Sequence, residues 1–210
     1  MNQQSSRGVM LVLSSPSGAG KTSITKELLK QEKNLVTSVS TTTRAPRVGE
    51  VEGQDYYFIS PEIYHQMLER EEFLEHAKVY GNFYGTPKTP VFEALSQGKD
   101  VIFDIDWQGT QQLAQSARTD LVTIFILPPS LEELEKRLRS RAQDSEEVIQ
   151  NRLASASYDL SHWAEYDYVI INENLDYSVE CIRFILKSEK LKRVRQPYLH
   201  SFVNTLRNAK

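Results

Sequence analysis

A short apolar run that leads directly into a glycine-rich turn is the feature that most constrains how this 210-residue chain can fold. Residues 9–14 (VMLVLS) are apolar and partly β-branched, which is typical of a buried parallel strand. Gly18 and Gly20 follow the run, and Ile24 and Leu28 then recur at helical spacing. The sequence therefore predicts a strand, a tight loop and a helix in that order.

The same alternation of strand and helix patterns returns three times further along the chain. Apolar runs occur at 100–106, 121–127 and 166–171, and helical patterns follow them at 108–117, from 130 onward, and at 175–187. Repeated alternation of this kind predicts an α/β fold, with a parallel sheet covered by helices on both faces.

Two stretches interrupt the alternation. Residues 35 to about 86 carry short extended runs around one helical pattern at 61–71, which predicts a small mixed α+β insert. Residues 130–160 predict two successive helices, the first opened by the capping-box pattern of Ser130 and Glu133.

Composition narrows the class of protein. Hydrophobic residues make up 40% of the chain and charged residues 25%, which are ordinary globular values that exclude a disordered or collagen-like chain. No apolar run approaches the length of about 18 residues that a membrane span needs, and the N-terminal residues are polar, so we expect a soluble, unexported protein. The single cysteine, Cys181, favours the reducing cytoplasm, and we expect it to pack on a helix.

Charge is distributed unevenly. Residues 187–210 contain seven Lys or Arg residues and one acid, Glu189, a net +6; since the whole chain carries −3, the remainder carries −9. A basic tail could contact RNA or another subunit, but a solvated helix face is the simpler interpretation, so nucleic acid is not an expected partner.

The glycine-rich turn has the spacing of a nucleoside-triphosphate P-loop. It consists of Ser15, Pro16, Ser17, Gly18, Ala19, Gly20, Lys21 and Thr22. Backbone N–H groups of such a loop surround the phosphates, with Lys21 bridging the outer phosphates and Thr22 placing its hydroxyl on Mg²⁺. Ser15 departs from the usual first glycine, and we expect Gly18 and Gly20 to supply the close approach. A purely structural turn is the alternative.

Further motifs occur in the order and spacing of a known family. They are PSGAGKT at 16–22, STTTRAPRVGE at 40–50, GQDYYF at 53–58, FLE at 73–75, GNFYG at 81–85 and DIDWQG at 104–109. Together they resemble guanylate kinase over residues 9 to about 190. The resemblance implies transfer of the γ-phosphoryl group of ATP to GMP, with dGMP as a further acceptor and Mg²⁺ as cofactor.

The resemblance also divides the chain into parts. It implies a P-loop core with a parallel sheet, a small α+β insert that binds the nucleoside monophosphate, and a helical lid. The expected bounds are 1–36, 90–129 and 159–210 for the core, 37–89 for the insert and 130–158 for the lid.

The insert carries residue types suited to a guanine monophosphate. Guanidinium forks and hydroxyl groups hold a phosphate dianion, which Arg44, Arg47, Tyr56 and Tyr84 could do. A carboxylate matches the N–H donors of guanine and hydroxyls match its O6, which suits Glu75, Ser40 and Thr86. Thr86 stands where the family commonly has serine. We expect Glu50 to order the arginine loop; a solvated loop of alternating charge is the alternative.

Asp104 and Asp106 end an apolar strand at the edge where ligands bind in open α/β sheets. We expect Asp104 to hold the water shell of Mg²⁺ and Asp106 to face GMP. Capping of the following helix is the alternative for Asp106.

The lid region supplies cations. Arg137 and Arg141 lie four residues apart on one predicted helix, and Arg152 lies on the next. The resemblance implies that they close over the γ-phosphate, with Arg137 also near adenine. Exposed Arg/Glu pairs are the alternative. Asn172, at the end of the last strand, is expected to contact adenine or to cap the strand end.

Three other functions stay open at the level of sequence. They are a guanylate-kinase-like module that binds proteins and has lost catalysis, a phosphotransferase for a different monophosphate, and an RNA-associated role of the tail. Nothing in the sequence decides between a monomer and a homo-oligomer.

Overall fold

The computed structural model describes residues 6–79, 81–140 and 146–209. Its strands are β1 (Met10–Ser14), β2 (Leu35–Thr37), β3 (Ser40–Thr42), β4 (Tyr56–Phe58), β5 (Phe73–Val79), β6 (Asn82–Pro87), β7 (Asp100–Phe103), β8 (Leu121–Leu127) and β9 (Tyr168–Ile171). Its helices are α1 (Lys21–Gln31), α2 (Pro61–Glu69), α3 (Lys88–Ser96), α4 (Trp107–Ala117), α5 (Leu131–Ser140), α6 (Glu146–Ser161), α7 (Leu175–Lys190) and α8 (Leu199–Asn208). The predicted strand and helix alternation is confirmed.

The main sheet of the described residues is parallel and has the strand order β2-β7-β1-β8-β9. β1 is central and completely buried, because both of its faces meet helices. Leu11 and Leu13 belong to the same core cluster as Ile24 and Ile182, from α1 and α7. Met10 and Val12 belong to the cluster on the opposite face. This packing fixes the carboxyl end of β1, from which the predicted P-loop extends.

The second sheet of the described chain has the order β4-β3-β6-β5 and forms the predicted insert together with α2. Tyr64 of α2 is its buried centre, stacked on Phe73 at 4.9 Å and on Phe83 at 5.0 Å between ring centroids. The predicted border after residue 36 falls inside β2, because Thr37 also pairs with Ile102 of the main sheet.

α5 and α6 form the predicted lid region. The hydroxyl of Ser130 accepts a hydrogen bond from the backbone N–H of Glu133 at 3.1 Å, as the capping pattern predicted. Leu134 and Leu138 of α5 pack with Ile149 and Ala156 of α6 in a small core of their own. Arg141, predicted as a lid arginine, lies outside the described residues.

Several basic residues of the C-terminal region form ion pairs within the chain. Lys190 pairs with Asp100 at 2.5 Å, and Lys192 and Arg195 pair with Glu189 at 2.7 and 3.3 Å. Cys181 is partly buried on α7 against the main core. In the described part of the chain, every helix is too short or too polar to cross a bilayer.

Candidate active site

The P-loop leaves the carboxyl end of β1 and opens α1 at Lys21. Gly18 and Gly20 have φ angles of +93° and +106°, a left-handed backbone that favours glycine. A Cβ atom on Gly20 would also overlap the side-chain nitrogen of Asn172. Among the described non-glycine residues, a positive φ occurs only at Glu71, so Ser15 does not require the conformation that a glycine would provide.

Asn172 and Arg137 hold the backbone of the loop from the other side. The carboxamide N–H of Asn172 donates to the carbonyl of Ala19 at 2.8 Å, and Asn172 Oδ1 accepts from the hydroxyl of Ser178 at 2.9 Å. The guanidinium of Arg137 donates to the carbonyls of Ala19 at 3.4 Å and Asn172 at 3.2 Å. Asn172 is only 6% exposed, so its side chain supports the loop. Its adenine contact, like that of Arg137, stays a prediction.

Lys21 and the two aspartates after β7 lie on one cleft of about 260 Å³ at the carboxyl edge of the main sheet. The ammonium group of Lys21 is ion-paired with Asp104, whose side chain is 77% exposed. Asp106 caps α4, because its carboxylate accepts from the backbone N–H of Gly109 at 3.0 Å. The capping alternative is therefore present, and Asp106 still lines the cleft.

The predicted base-reading residues form one hydrogen-bonded chain. The hydroxyl of Thr86 donates to Glu75 Oε1 at 2.6 Å, and the hydroxyls of Ser40 and Thr86 lie 3.1 Å apart. Glu75 is 6% exposed, and this burial raises the pKa of its carboxyl group. A Cβ on Gly109 would come within 3.4 Å of Glu75 Oε2, so the first turn of α4 closely approaches the carboxylate.

The side chain of Gln112, on α4, holds the strand that carries Glu75. Its side chain accepts from the backbone N–H of His76 at 2.9 Å and donates to the carbonyl of His76 at 3.0 Å. His76 directly follows Glu75 on β5. The Glu75 carboxylate of the insert is therefore held next to the helix that begins at Trp107, one residue after Asp106.

The predicted phosphate-binding residues of the insert also come together. Glu50 accepts from the Arg44 guanidinium at 2.7 Å and from the backbone N–H of Arg47 at 2.6 Å. The Arg44 guanidinium lies 5.5 Å from the ring centre of Tyr56, which is 6.0 Å from that of Tyr84. Hydrogen bonding to Glu50 raises the pKa of Arg44, and Arg44 lowers the pKa of Glu50. Glu50 therefore ties the Arg44 side chain to the backbone at Arg47.

The remaining predicted site residues are exposed or only partly buried. Thr22 is exposed in the first turn of α1, and the side chain of Arg47 is exposed. Arg152 is partly buried on α6. Asp159 of α6 was missed at the level of sequence although it lines the cleft with Lys21 and Asp106. No local sequence pattern identifies Asp159, because its position at the cleft depends on how α6 packs against the rest of the chain.

Comparisons with known proteins point to one family. A family model described as guanylate kinase matches residues 7–189. The guanylate kinase of Paramagnetospirillum magneticum is 60% identical over 97% of this chain and 95% of its own length. That of Rhodospirillum rubrum is 57% identical over 97% of this chain and 93% of its own.

A solved structure is similar in fold and sequence. The crystal structure of guanylate kinase from Anaplasma phagocytophilum has a TM-score of 0.72 and 40% identity, and covers 96% of each chain. The predicted family resemblance is confirmed: this chain belongs to the guanylate kinase family.

Proposed function

We propose that this chain transfers the γ-phosphoryl group of ATP to GMP, giving ADP and GDP. The observation that carries the proposal is the Glu75–Thr86–Ser40 chain of hydrogen bonds, in which Glu75 and Thr86 are buried. It lies beside the first turn of α4, the helix whose first residue, Trp107, lines the cleft that also holds the P-loop lysine. Together, the P-loop and this hydrogen-bonded chain can bind a donor triphosphate and a guanine acceptor side by side.

Guanine recognition follows from the chemistry of this chain of groups. Guanine offers N1–H and N2–H₂ donors beside an O6 acceptor. The second oxygen of Glu75 is available for those donors, and the Ser40 and Thr86 hydroxyls are the groups for O6. Adenine lacks the matching donor pair and would leave the second oxygen of the buried Glu75 carboxylate without a partner, which is costly. dGMP has the same base and is a second expected acceptor.

The acceptor phosphate is expected at the arginine loop. A hydrogen bond to Glu50 holds the Arg44 guanidinium in place, and Tyr56 lies beside it. Arg47 and Tyr84 add further hydrogen-bond donors for the phosphate. A planar guanidinium binds phosphate oxygens through two hydrogen bonds, so Arg44 and Arg47 orient the attacking oxygen as well as attract the charge.

Phosphoryl transfer needs positioning and charge stabilisation more than covalent chemistry. We assign the donor phosphates to the P-loop backbone, from Ser15 through Gly20, and to Lys21. Arg137, Arg141 and Arg152 are expected to neutralise charge as the lid closes and excludes water. Asp106 is assigned to the acceptor side of the cleft. No covalent intermediate with the protein is needed.

The residues around the cleft fit Mg²⁺. The Thr22 hydroxyl and the exposed Asp104 carboxylate are hard oxygen donors, the class that Mg²⁺ prefers. No cluster of three His, Cys, Asp or Glu side chains suited to a metal occurs among residues 6–79, 81–140 and 146–209. That fits an ion held through water and substrate phosphates rather than by a protein cage. When bound, Mg²⁺ neutralises charge on the transferring phosphates.

The other functions considered for the sequence are less well supported. The comparisons offer no support for a protein-binding module without catalysis. We propose a cytoplasmic location, in keeping with soluble nucleotide substrates.

The direct test supplies purified protein with ATP, Mg²⁺ and GMP and follows both products. Equal amounts of ADP and GDP are expected, with little ADP formed when GMP is omitted. ADP formed equally well without GMP, or no ADP at all, would contradict the proposed function.

A further inference from the structure

Three aromatic side chains join the base of the lid to the acceptor side of the cleft. The ring of His162 lies flat on Trp107, with ring centres 4.0 Å apart and an interplanar angle of 11°. Tyr158 meets both rings edge-on, at 5.8 Å from Trp107 and 5.1 Å from His162. We call Trp107, Tyr158 and His162 the aromatic clamp.

The clamp connects two elements that serve different substrates. Trp107 is the first residue of α4 and directly follows Asp106, which caps that helix. Tyr158 lies in the last turn of α6, and His162 begins the short 3-10 turn after it. A rigid contact here fixes the end of α6 relative to Asp106.

A polar link supports the stack. His162 Nδ1 lies 2.7 Å from Glu165 Oε1, and Gln111 of α4 donates to Glu165 Oε2 at 2.8 Å. The other imidazole nitrogen, Nε2, is buried without a hydrogen-bond partner among the described residues. A buried polar atom without a partner is costly, and the ring is held at that position by its face on Trp107 and by the contact of Nδ1 with Glu165.

α6 carries the cleft residue Asp159 and the predicted lid arginine Arg152. Asp159, between Tyr158 and His162 in sequence, lines the cleft with Lys21 and Asp106. Arg152 lies about two helical turns earlier than Asp159, which places both on one side of α6. A small rotation of α6 about the clamp therefore moves Arg152 and Asp159 together.

We propose that Trp107 and His162 are positioning residues whose stack couples the occupancy of the acceptor site at Asp106 to the closing of α6. The proposal rests on the proposed function, since it concerns how GMP binding sets the lid for phosphoryl transfer. Trp107 lines the cleft beside Lys21 and Asp106. We assign neither residue of the stack a contact with the reacting atoms. Their contribution is to the placement of α6 and its arginine.

The test is a double-mutant cycle on kcat with GMP. Trp107→Leu and His162→Leu are each expected to lower kcat by about tenfold, with the KM for ATP nearly unchanged. The double variant is expected to be no slower than the slower single variant, because the two residues act through one contact. Trp107→Phe, which keeps a flat ring, should recover most of the rate.

Trp163 provides the matched control, because it is 52% exposed, follows His162 in sequence and is not part of the clamp. Trp163→Leu should leave kcat unchanged. In Trp163→Phe protein, Trp107 is the remaining tryptophan of the two in the chain. Its fluorescence should shift when GMP binds, and His162→Leu should remove most of that shift.

Additive effects in the cycle, or a Trp163→Leu variant as slow as Trp107→Leu, would overturn the proposal. If the leucine variants fail to fold, His162→Phe and Trp107→Phe decide instead: both keep a ring stack and must keep the rate. An unmodified protein that does not phosphorylate GMP would contradict the proposed function instead, and the fluorescence response to GMP then tests the coupling without catalysis.

Discussion

The ammonium group of Lys21 is ion-paired with the carboxylate of Asp104 across the cleft at the carboxyl edge of the main sheet. The pair joins the first residue of α1 to the residue that directly follows β7. Phosphates of ATP are stronger partners for the lysine than an exposed carboxylate, so nucleotide binding is expected to release Asp104 for the shell of Mg²⁺.

Replacing Lys21 by Ala should reduce kcat by about 10² to 10³-fold, because a preorganised cation at the transferring phosphate is lost. The fold should persist, since the side chain contributes to no core cluster. Steady-state kinetics and thermal unfolding separate the two effects. Lys26→Ala, on the exposed face of the same helix, should retain normal activity; a Lys21→Ala protein with normal kcat would disprove the assigned role.

Gly20→Ala should unfold at lower temperature and lose ATP affinity. The φ of +106° is unfavourable for alanine by roughly 1–2 kcal/mol, and the new Cβ would overlap Asn172. Gly81→Ala is the matched control, because Gly81 has a φ of +83° but, among the described residues that are not its chain neighbours, no atom lies within 4 Å of an added Cβ. Calorimetry and nucleotide titration measure both variants. Equal losses in the two would show that backbone strain alone, and not the Asn172 contact, matters at Gly20.

Glu50→Gln should raise the KM for GMP by about tenfold with little change in the KM for ATP, because the charged hydrogen bond that orients Arg44 is weakened. Glu52→Gln offers a comparison in the same loop. The carboxylate of Glu52 accepts a hydrogen bond from the backbone N–H of Phe58 at 3.0 Å. The amide oxygen of a glutamine at this position can accept the same bond. If both variants raise the KM for GMP equally, the loop and not Arg44 is responsible.

The sequence alone predicted the elements whose signals are local. The P-loop, the strand runs and the Ser130 cap follow from neighbouring residues, and the structure places them as expected. The assignment of β2 to the main sheet depends on its pairing with β7, which is distant in sequence. Short extended runs carry no information about which sheet they join.

The site was likewise predicted only in part. Glu75, Thr86 and Ser40 were recognised from motif spacing, and they lie together. The support that Asn172 gives the P-loop, and the place of Asp159 in the cleft, arise where α6 and β9 pack against elements far along the chain. Such contacts leave no periodic pattern in the sequence.

Burial of Glu75 should give stability a specific pH dependence. Its pKa is raised above the ordinary value of 4.5, so the folded protein binds more protons there than the unfolded chain, and stability falls as pH rises through that window. Glu75→Gln removes this penalty. Denaturant unfolding of the two proteins should show the variant gaining stability relative to the unmodified protein between acidic and neutral pH. A difference that is constant with pH would contradict the raised pKa.

The ratio of kcat/KM for GMP to that for AMP, measured with ATP and Mg²⁺, tests the central claim most directly, with UMP and CMP as further acceptors. A carboxylate and hydroxyl pair that reads guanine by hydrogen bonds predicts a preference for GMP of about 10³ to 10⁴-fold, largely lost in Glu75→Gln. Comparable phosphorylation of AMP and GMP by the unmodified protein would contradict the account.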